Sequence, residues 1–196
     1  MILRAVLEAA GYSFGEASED AECLSLAEPV IIVPYDPRWP RDFVLIQSML
    51  RDALGEVDIL HVGSTSVPGL AAKAIVDIDV VIDSEDALPL TIQRLATIDY
   101  RFEGDLGVSG RYAFAPPRGL PRHHPYVCVR DCLELQRHIA FRDFLREHPE
   151  ETKDYADLKY DLARRFGGDQ DGYSVAKTAF VENALRKAAL LAGRNR

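Results

Sequence analysis

A net charge of −8 at pH 7, with no block of basic residues, makes this 196-residue chain a poor candidate for non-specific binding to nucleic acid. No apolar run reaches the ~18 residues of a membrane-spanning helix, and the first residues lack the features of a signal peptide, so no membrane association is expected. Three cysteines, Cys23, Cys128 and Cys132, form an odd set that argues against a disulfide framework and favours a reducing, cytoplasmic location.

The chain is expected to form a single domain over residues 30–196, after an acidic N-terminal extension over residues 1–29. Six acids and one base give that extension −5 of the net charge. Within the domain, strand-like patterns dominate residues 30–130 and helical patterns dominate residues 131–191. This order predicts an α+β fold in which the C-terminal helices pack on a sheet.

The pattern of apolar residues predicts the individual elements in chain order. Strands are expected near residues 30–33, 59–62, 74–82, 100–103, 111–114 and 126–130. Helices are expected near residues 41–54, 87–97, 131–147, 150–166 and 172–191. The strand over residues 74–82 is apolar on both faces, which is typical of a central strand. The last helix is expected to bury Ala176, Phe180, Ala184 and Leu191.

The segment over residues 59–82 carries the clearest chemical signal. Its first strand ends at Gly63, and glycine lets the backbone turn tightly and approach a ligand. Ser64, Thr65 and Ser66 follow as hydrogen-bond donors at an expected helix start, where the helix dipole favours anions. This pattern predicts a phosphate site.

Two acids on the second strand of this segment predict a metal site. Asp77 and Asp79 are two residues apart, so both side chains point to one face of the sheet. Among apolar neighbours the two carboxylates would repel each other and lose solvation, and a divalent cation relieves both costs. Mg²⁺ prefers a few carboxylates together with water and phosphate oxygens. The alternative is that one acid caps a strand end and the other is solvated.

Other phosphate and nucleophile motifs do not fit this segment. Five residues separate Gly63 from Gly69 and no Lys-Ser or Lys-Thr follows, so a P-loop is excluded. Residues 63–67 do not supply the G-x-S-x-G of a nucleophile elbow.

The order strand, Gly-Ser, spacer and strand with Asp-x-Asp resembles the nucleotidyltransferase superfamily related to DNA polymerase β. Residues 61–73, HVGSTSVPGLAAK, followed by IVDI at 75–78, resemble the GrpB family more closely. Residues 33–40, 138–146 and 148–150, with Tyr173, Lys177 and Phe180, extend the resemblance over about residues 30–191. Ala74 stands where the family usually has proline. The resemblance implies a nucleotidyltransferase-like mixed sheet with flanking helices.

The resemblance also implies a function and roles for individual residues. It implies a Mg²⁺-dependent nucleotidyltransferase that acts on a nucleoside triphosphate, or on another phosphate-bearing small molecule, with an unknown acceptor. Gly63 and Ser64 would hold phosphates, while Asp77 and Asp79 would be catalytic and bind the metal. Family members also occur fused to dephospho-CoA kinase, which leaves open a catalytically degenerate module that binds a nucleotide or CoA metabolite, or a structural partner of another enzyme.

A third carboxylate on a neighbouring strand normally completes the metal site in that superfamily. Glu103 and Asp105 lie near the expected region, and His124 is the residue that would replace or support the missing acid. The remaining expected substrate-binding residues are Thr65, Lys73, Tyr173 and Lys177, with solvated lysines as the alternative for Lys73 and Lys177.

Overall fold

The computed structural model describes residues 29–194, so the expected acidic extension lies outside the described residues except for Pro29. Five strands form one sheet: β1 (Asp58–Val62), β2 (Val76–Ile82), β3 (Arg101–Gly104), β4 (Arg111–Ala115) and β5 (His123–Val129). Their order across the sheet is β1-β2-β5-β4-β3. β2 and β5 run parallel, whereas the other neighbours are antiparallel. The mixed α+β fold and the central position of the acid-bearing strand are therefore confirmed.

Within the described part of the chain, six α-helices flank the sheet: α1 (Trp39–Leu54), α2 (Leu88–Ala96), α3 (Leu133–Glu147), α4 (Pro149–Phe166), α5 (Gln170–Ala176) and α6 (Thr178–Arg194). In the part of the chain from residue 29 to 194, no helix is both long and apolar enough to cross a bilayer.

Three expectations about these elements were wrong. Residues 30–33 form no strand, because only a single bridge joins Val33 to Ala72. The helix expected over residues 172–191 is two helices that meet at Lys177. Ala184 is buried as expected, but Leu191 is 41% exposed because α6 extends past the apolar layer that it covers.

The two faces of the sheet have different partners. Ile78 and Val80 of β2 face α1 and pack with Ile46, Leu50 and Leu54 in the main apolar core. Each of these side chains contributes ~1.5–3 kcal/mol by its burial, so this face anchors the fold.

The opposite face carries the two acids and lies beneath the C-terminal helices. Val81 packs there against Cys128 of β5 and Leu135 of α3. Since side chains alternate along β2, Asp77 and Asp79 share the face of Val81. The acids therefore lie between the sheet and the helices that follow it.

Candidate functional site

The turn after β1 is shaped by one glycine. Gly63 has a φ of 68°, and a Cβ atom there would lie 2.1 Å from Oδ2 of Asp77. Both the backbone conformation and the contact require glycine at this position. The residues that follow, Ser64–Ser66, form a single 3₁₀ turn, so the expected helix start is wrong. The turn closes on itself, since the Ser66 hydroxyl donates to the Gly63 carbonyl at 2.6 Å.

Two arginines of α3 hold this turn from outside. Arg146 donates to the Ser66 carbonyl from Nε at 3.0 Å and from Nη2 at 2.7 Å. Arg142 donates from Nη1 to the His61 carbonyl at 3.2 Å. Both arginines also lie within ion-pair distance of Asp143. Their guanidinium groups thus fix the main chain on both sides of Gly63-Ser64.

The turn is also held from inside by a packed histidine. Nε2 of His61 lies 3.0 Å from the Thr65 hydroxyl, and the His61 ring stacks on Phe43 with 4.8 Å between ring centroids. Burial lowers the pKa of His61 to about 4, so its ring is neutral near pH 7. Thr65 is 1% exposed, and its hydroxyl supports the turn rather than facing solvent.

The two acids of β2 have different surroundings. Asp77 is one-third exposed, and its Oδ1 lies 3.1 Å from Nδ1 of His124. Asp79 is fully buried, and its Oδ2 lies 2.8 Å from Nδ1 of His138. Its other oxygen, Oδ1, has no hydrogen-bond partner among the described residues. Asp79 is therefore neither solvated nor at a strand end.

His138 on α3 links Asp79 to a third carboxylate further out. Its Nε2 lies 3.3 Å from Oε1 of Glu134. Burial lowers the pKa of His138, but the hydrogen bond to Asp79 and the charges of Asp79 and Glu134 outweigh burial and raise it overall. The hydrogen bond from His138 fixes the orientation of the buried Asp79 carboxylate. The resemblance includes His138, but nothing in its spacing indicates contact with Asp79.

The strands beside β2 bring no further carboxylate to Asp77 and Asp79. On β5, His124 is paired with Asp77 and Tyr126 with Asp79. Glu103 lies on β3, at the far edge of the sheet, and Asp105 follows it, so neither reaches the acids. Among residues 29–194, no group of three or more His, Cys, Asp or Glu side chains is arranged to hold a metal ion.

A cleft of about 260 Å³ opens above Asp77, between the sheet and helices α4 and α5. It brings together six of the residues that the sequence predicts for the site: Ser64, Lys73, Asp77, His124, Tyr173 and Lys177. Tyr126, Lys159 and Ser174 also line it. The other predicted residues lie elsewhere, because Gly63 shapes the turn, Thr65 packs on His61, and Asp79 is buried.

Lysines dominate the charge of this cleft. Nζ of Lys177 lies 4.5 Å from the centroid of the Tyr173 ring, and Nζ of Lys73 lies 5.8 Å from it. Burial, followed by the charge of Lys73, lowers the pKa of Lys177 to about 8, while Asp77 opposes that shift. With Lys159, three amines and one carboxylate face the cleft, which therefore attracts anions.

Lys159 of α4 is the charged residue of the cleft that sequence reasoning missed. It is 2% exposed, and its Nζ donates to the Ser64 hydroxyl at 3.0 Å and to the Ala71 carbonyl. Nζ also lies 4.6 Å from the centroid of the Tyr155 ring. Burial, followed by the charge of Lys177, lowers the pKa of Lys159 to about 7. The available signal was its spacing, because residues 155, 159 and 162 share one helix face and the other two are apolar.

Comparison with known proteins identifies relatives of this chain. A family model described as GrpB protein matches residues 29–187. A UPF0157 protein of Pseudomonas aeruginosa is 35% identical over 162 residues, which are 80% of this chain and 66% of that protein. A dephospho-CoA kinase of Mycolicibacterium paratuberculosis is 29% identical over 189 residues, or 82% of this chain and 46% of the kinase. The chain thus spans about half to two-thirds of the length of these relatives.

A solved structure agrees with the sequence matches. The crystal structure of conserved protein GrpB from Enterococcus faecalis superposes with a TM-score of 0.72 at 34% identity. The match covers 81% of this chain and 96% of that one. The chain belongs to the GrpB family.

Proposed function

We propose that the cleft binds the phosphates of a nucleoside triphosphate together with Mg²⁺, and that the chain transfers a nucleotidyl group from it to an acceptor. One observation carries this proposal: Asp77 faces a cleft whose other charged side chains are the amines of Lys73, Lys159 and Lys177. A polyphosphate supplies the negative charge that these amines need, and its metal ion supplies the positive charge that Asp77 needs.

The two acids fit a magnesium ion. The unpartnered Oδ1 of buried Asp79 is a group that costs free energy unless it gains a cation or a donor. Asp77 offers carboxylate oxygens on the same face, at the wall of the cleft. Asp77 and Asp79 would thus hold Mg²⁺, with phosphate oxygens and water as the remaining ligands. When bound, Mg²⁺ would neutralise charge at the phosphate under attack.

The side chains around the acids would position the substrate. Lys73 and Lys177 would donate to non-bridging phosphate oxygens and stabilise the charge that develops on the leaving group. Gly63 would let the main chain approach a phosphate closely. His124 is oriented by its contact with Asp77 and occupies the strand position opposite it, so its ring would accept a proton from the acceptor hydroxyl.

A second candidate is a module that binds a nucleotide or a CoA metabolite without catalysis. The specific observation in its favour is that, within residues 29–194, the strands flanking β2 bring no carboxylate to its acids. The similarity to a dephospho-CoA kinase makes a CoA metabolite a suitable ligand class for such a module.

Calorimetry and a transfer assay separate these candidates. ATP, CTP, GTP and UTP would be titrated with and without Mg²⁺, and binding of at least one with Mg²⁺ is expected. Absence of binding for every nucleotide would exclude nucleotidyl transfer. Binding that survives EDTA and the change Asp77→Ala, without label transfer, would favour the module.

The transfer assay follows the radiolabelled α-phosphate of the nucleotide that binds. Label transfer that is lost in both Asp77→Asn and Asp79→Asn would support the enzyme. Glu103→Gln is the matched control, because it neutralises an exposed acid on the distant edge strand and should leave transfer unchanged.

A further inference from the structure

We infer that Ser64 is a nucleophile activated by Lys159, and that its hydroxyl attacks an electrophilic phosphorus bound in the cleft. The inference goes beyond nucleotide binding, since it assigns covalent chemistry to a serine that would otherwise only donate a hydrogen bond. It rests on the proposed function only in that the natural electrophile would be a phosphoanhydride in the same cleft.

The geometry of the pair supports this assignment. Ser64 lines the cleft, so its hydroxyl is accessible to a ligand, whereas Lys159 is nearly completely enclosed. The two groups meet at 3.0 Å between Nζ and Oγ, within the range expected of a nucleophile and its base. They are 95 residues apart in the chain, so their contact is created by the packing of α4 on the turn.

The surroundings of Lys159 favour an amine that accepts a proton. Nζ of Lys159 donates a hydrogen bond to the Ala71 carbonyl, which fixes the orientation of Nζ toward Ser64. No carboxylate is hydrogen-bonded to Lys159 among the described residues, and the charge of Asp77 only partly opposes the lowering of its pKa. Burial and the neighbouring charge of Lys177 bring its pKa to about 7, so a large share of the amine is neutral near neutral pH.

The step balances without another reagent. The Ser64 Oγ–P bond forms while the phosphoanhydride P–O bond breaks, and the leaving group departs as a phosphate or pyrophosphate anion. The Ser64 proton moves to Nζ of Lys159, which becomes an ammonium group. Lys73 and Lys177 offset the charge on the departing anion. The product is a phosphoester on Ser64.

A fluorophosphonate probe tests the pair without any nucleotide. In the full chain, the probe should label Ser64 with release of fluoride, as located by peptide mass spectrometry. Ser64→Ala should remove the label. Lys159→Met should slow labelling about 100-fold or more, the usual size of a general-base contribution. Ser48→Ala, which changes an exposed serine on α1, should label at the rate of the unchanged protein.

Labelling at another residue, no labelling at all, or an unchanged rate in Lys159→Met would overturn the inference. If Lys159→Met does not fold, the pH profile of the unchanged protein decides. The labelling rate should level off above an inflection near pH 7, which reports the loss of a proton from Lys159. The titratable groups that surround this amine are Asp77 of β2, Lys177 between α5 and α6, and Tyr155 of α4. A rate that rises without a plateau to pH 10 would refute it.

The outcomes also separate this inference from the proposed function. Probe labelling with no calorimetric binding of any nucleotide leaves the pair intact and excludes nucleotidyl transfer. Nucleotide binding without any labelling of Ser64 would refute the Ser64–Lys159 pair and leave the proposed nucleotide site intact.

Discussion

Replacing Gly63 with alanine tests the close contact between the turn and Asp77. The new Cβ would lie 2.1 Å from Oδ2 and 2.9 Å from Cγ of Asp77, so the carboxylate must move. An L-residue at φ 68° and ψ −171°, a region populated almost only by glycine, costs ~1–3 kcal/mol, and the overlap adds ~1–3 kcal/mol. We expect Gly63→Ala to destabilise the protein by ~2–6 kcal/mol and to displace Asp77 from His124.

A second glycine provides the matched control. Gly69 has a φ of 81°, similar to Gly63, but nothing lies within 4 Å of the Cβ that alanine would add. Gly69→Ala should therefore cost only the ~1–2 kcal/mol of backbone strain. The difference between the two variants combines the contact with Asp77 and the backbone strain specific to Gly63, where ψ is −171°.

Urea unfolding and thermal melts measure this difference. The extra ~1–3 kcal/mol of Gly63→Ala corresponds to a Tm lower than that of Gly69→Ala by roughly 2–12 °C. The double variant Gly63→Ala with Asp77→Ala should recover much of the difference, since the overlapping oxygen is gone. Equal unfolding free energies for Gly63→Ala and Gly69→Ala would refute the reasoning.

Three other outcomes follow from the charged groups. Lys177→Met should weaken Mg²⁺-nucleotide binding about 10- to 100-fold in calorimetry, because a charge-assisted hydrogen bond is worth ~1.5–3 kcal/mol, whereas the exposed Lys153→Met should change nothing. Since burial lowers the pKa of Lys177 to about 8, affinity should fall as pH rises from 7 to 9 and the amine loses its proton, and Lys177→Met should flatten that profile. Burial lowers the pKa of His123 to about 4, below its unfolded value of ~6.5, so its stabilisation is present above pH ~6.5 and lost as pH falls toward 4, by up to ~3 kcal/mol. Urea unfolding at pH 7 and pH 4.5 checks this loss, and a flat stability over that range would contradict it.

The sequence predicts most of the helices and strands because the spacing of apolar residues follows which side chains are buried. The spacing of Ile46, Leu50 and Leu54 identified α1, and the two-sided apolar pattern identified β2 as central. The prediction of one helix over residues 172–191 is wrong because the break at Lys177 is too slight to leave a signal in the sequence. Its backbone there stays near helical values, with φ −79° and ψ −19°, so no glycine or proline marks it.

The site was predictable only where its residues are close in sequence. Gly63, Ser64 and Asp77 lie within one segment, and their chemistry is visible in their order. Lys159 and His138 reach the site because α4 packs on the turn and α3 packs on the sheet, and local spacing does not specify which residues meet across such long-range contacts. The resemblance to the GrpB family includes His138, but it does not predict the contact of His138 with Asp79.

The parallel pairing of β2 with β5 has a consequence for how ligands of this protein can be found. Asp77 and His124 are 47 residues apart, so their contact exists only after a long intervening segment has folded. A partly folded chain then has no cleft, and a ligand of the cleft binds the native state alone. Such a ligand raises the free energy of unfolding by ~2.7 kcal/mol at a hundred times its Kd. A thermal-shift screen of phosphorylated metabolites would therefore report the natural ligand by the rise in melting temperature, before any reaction is known.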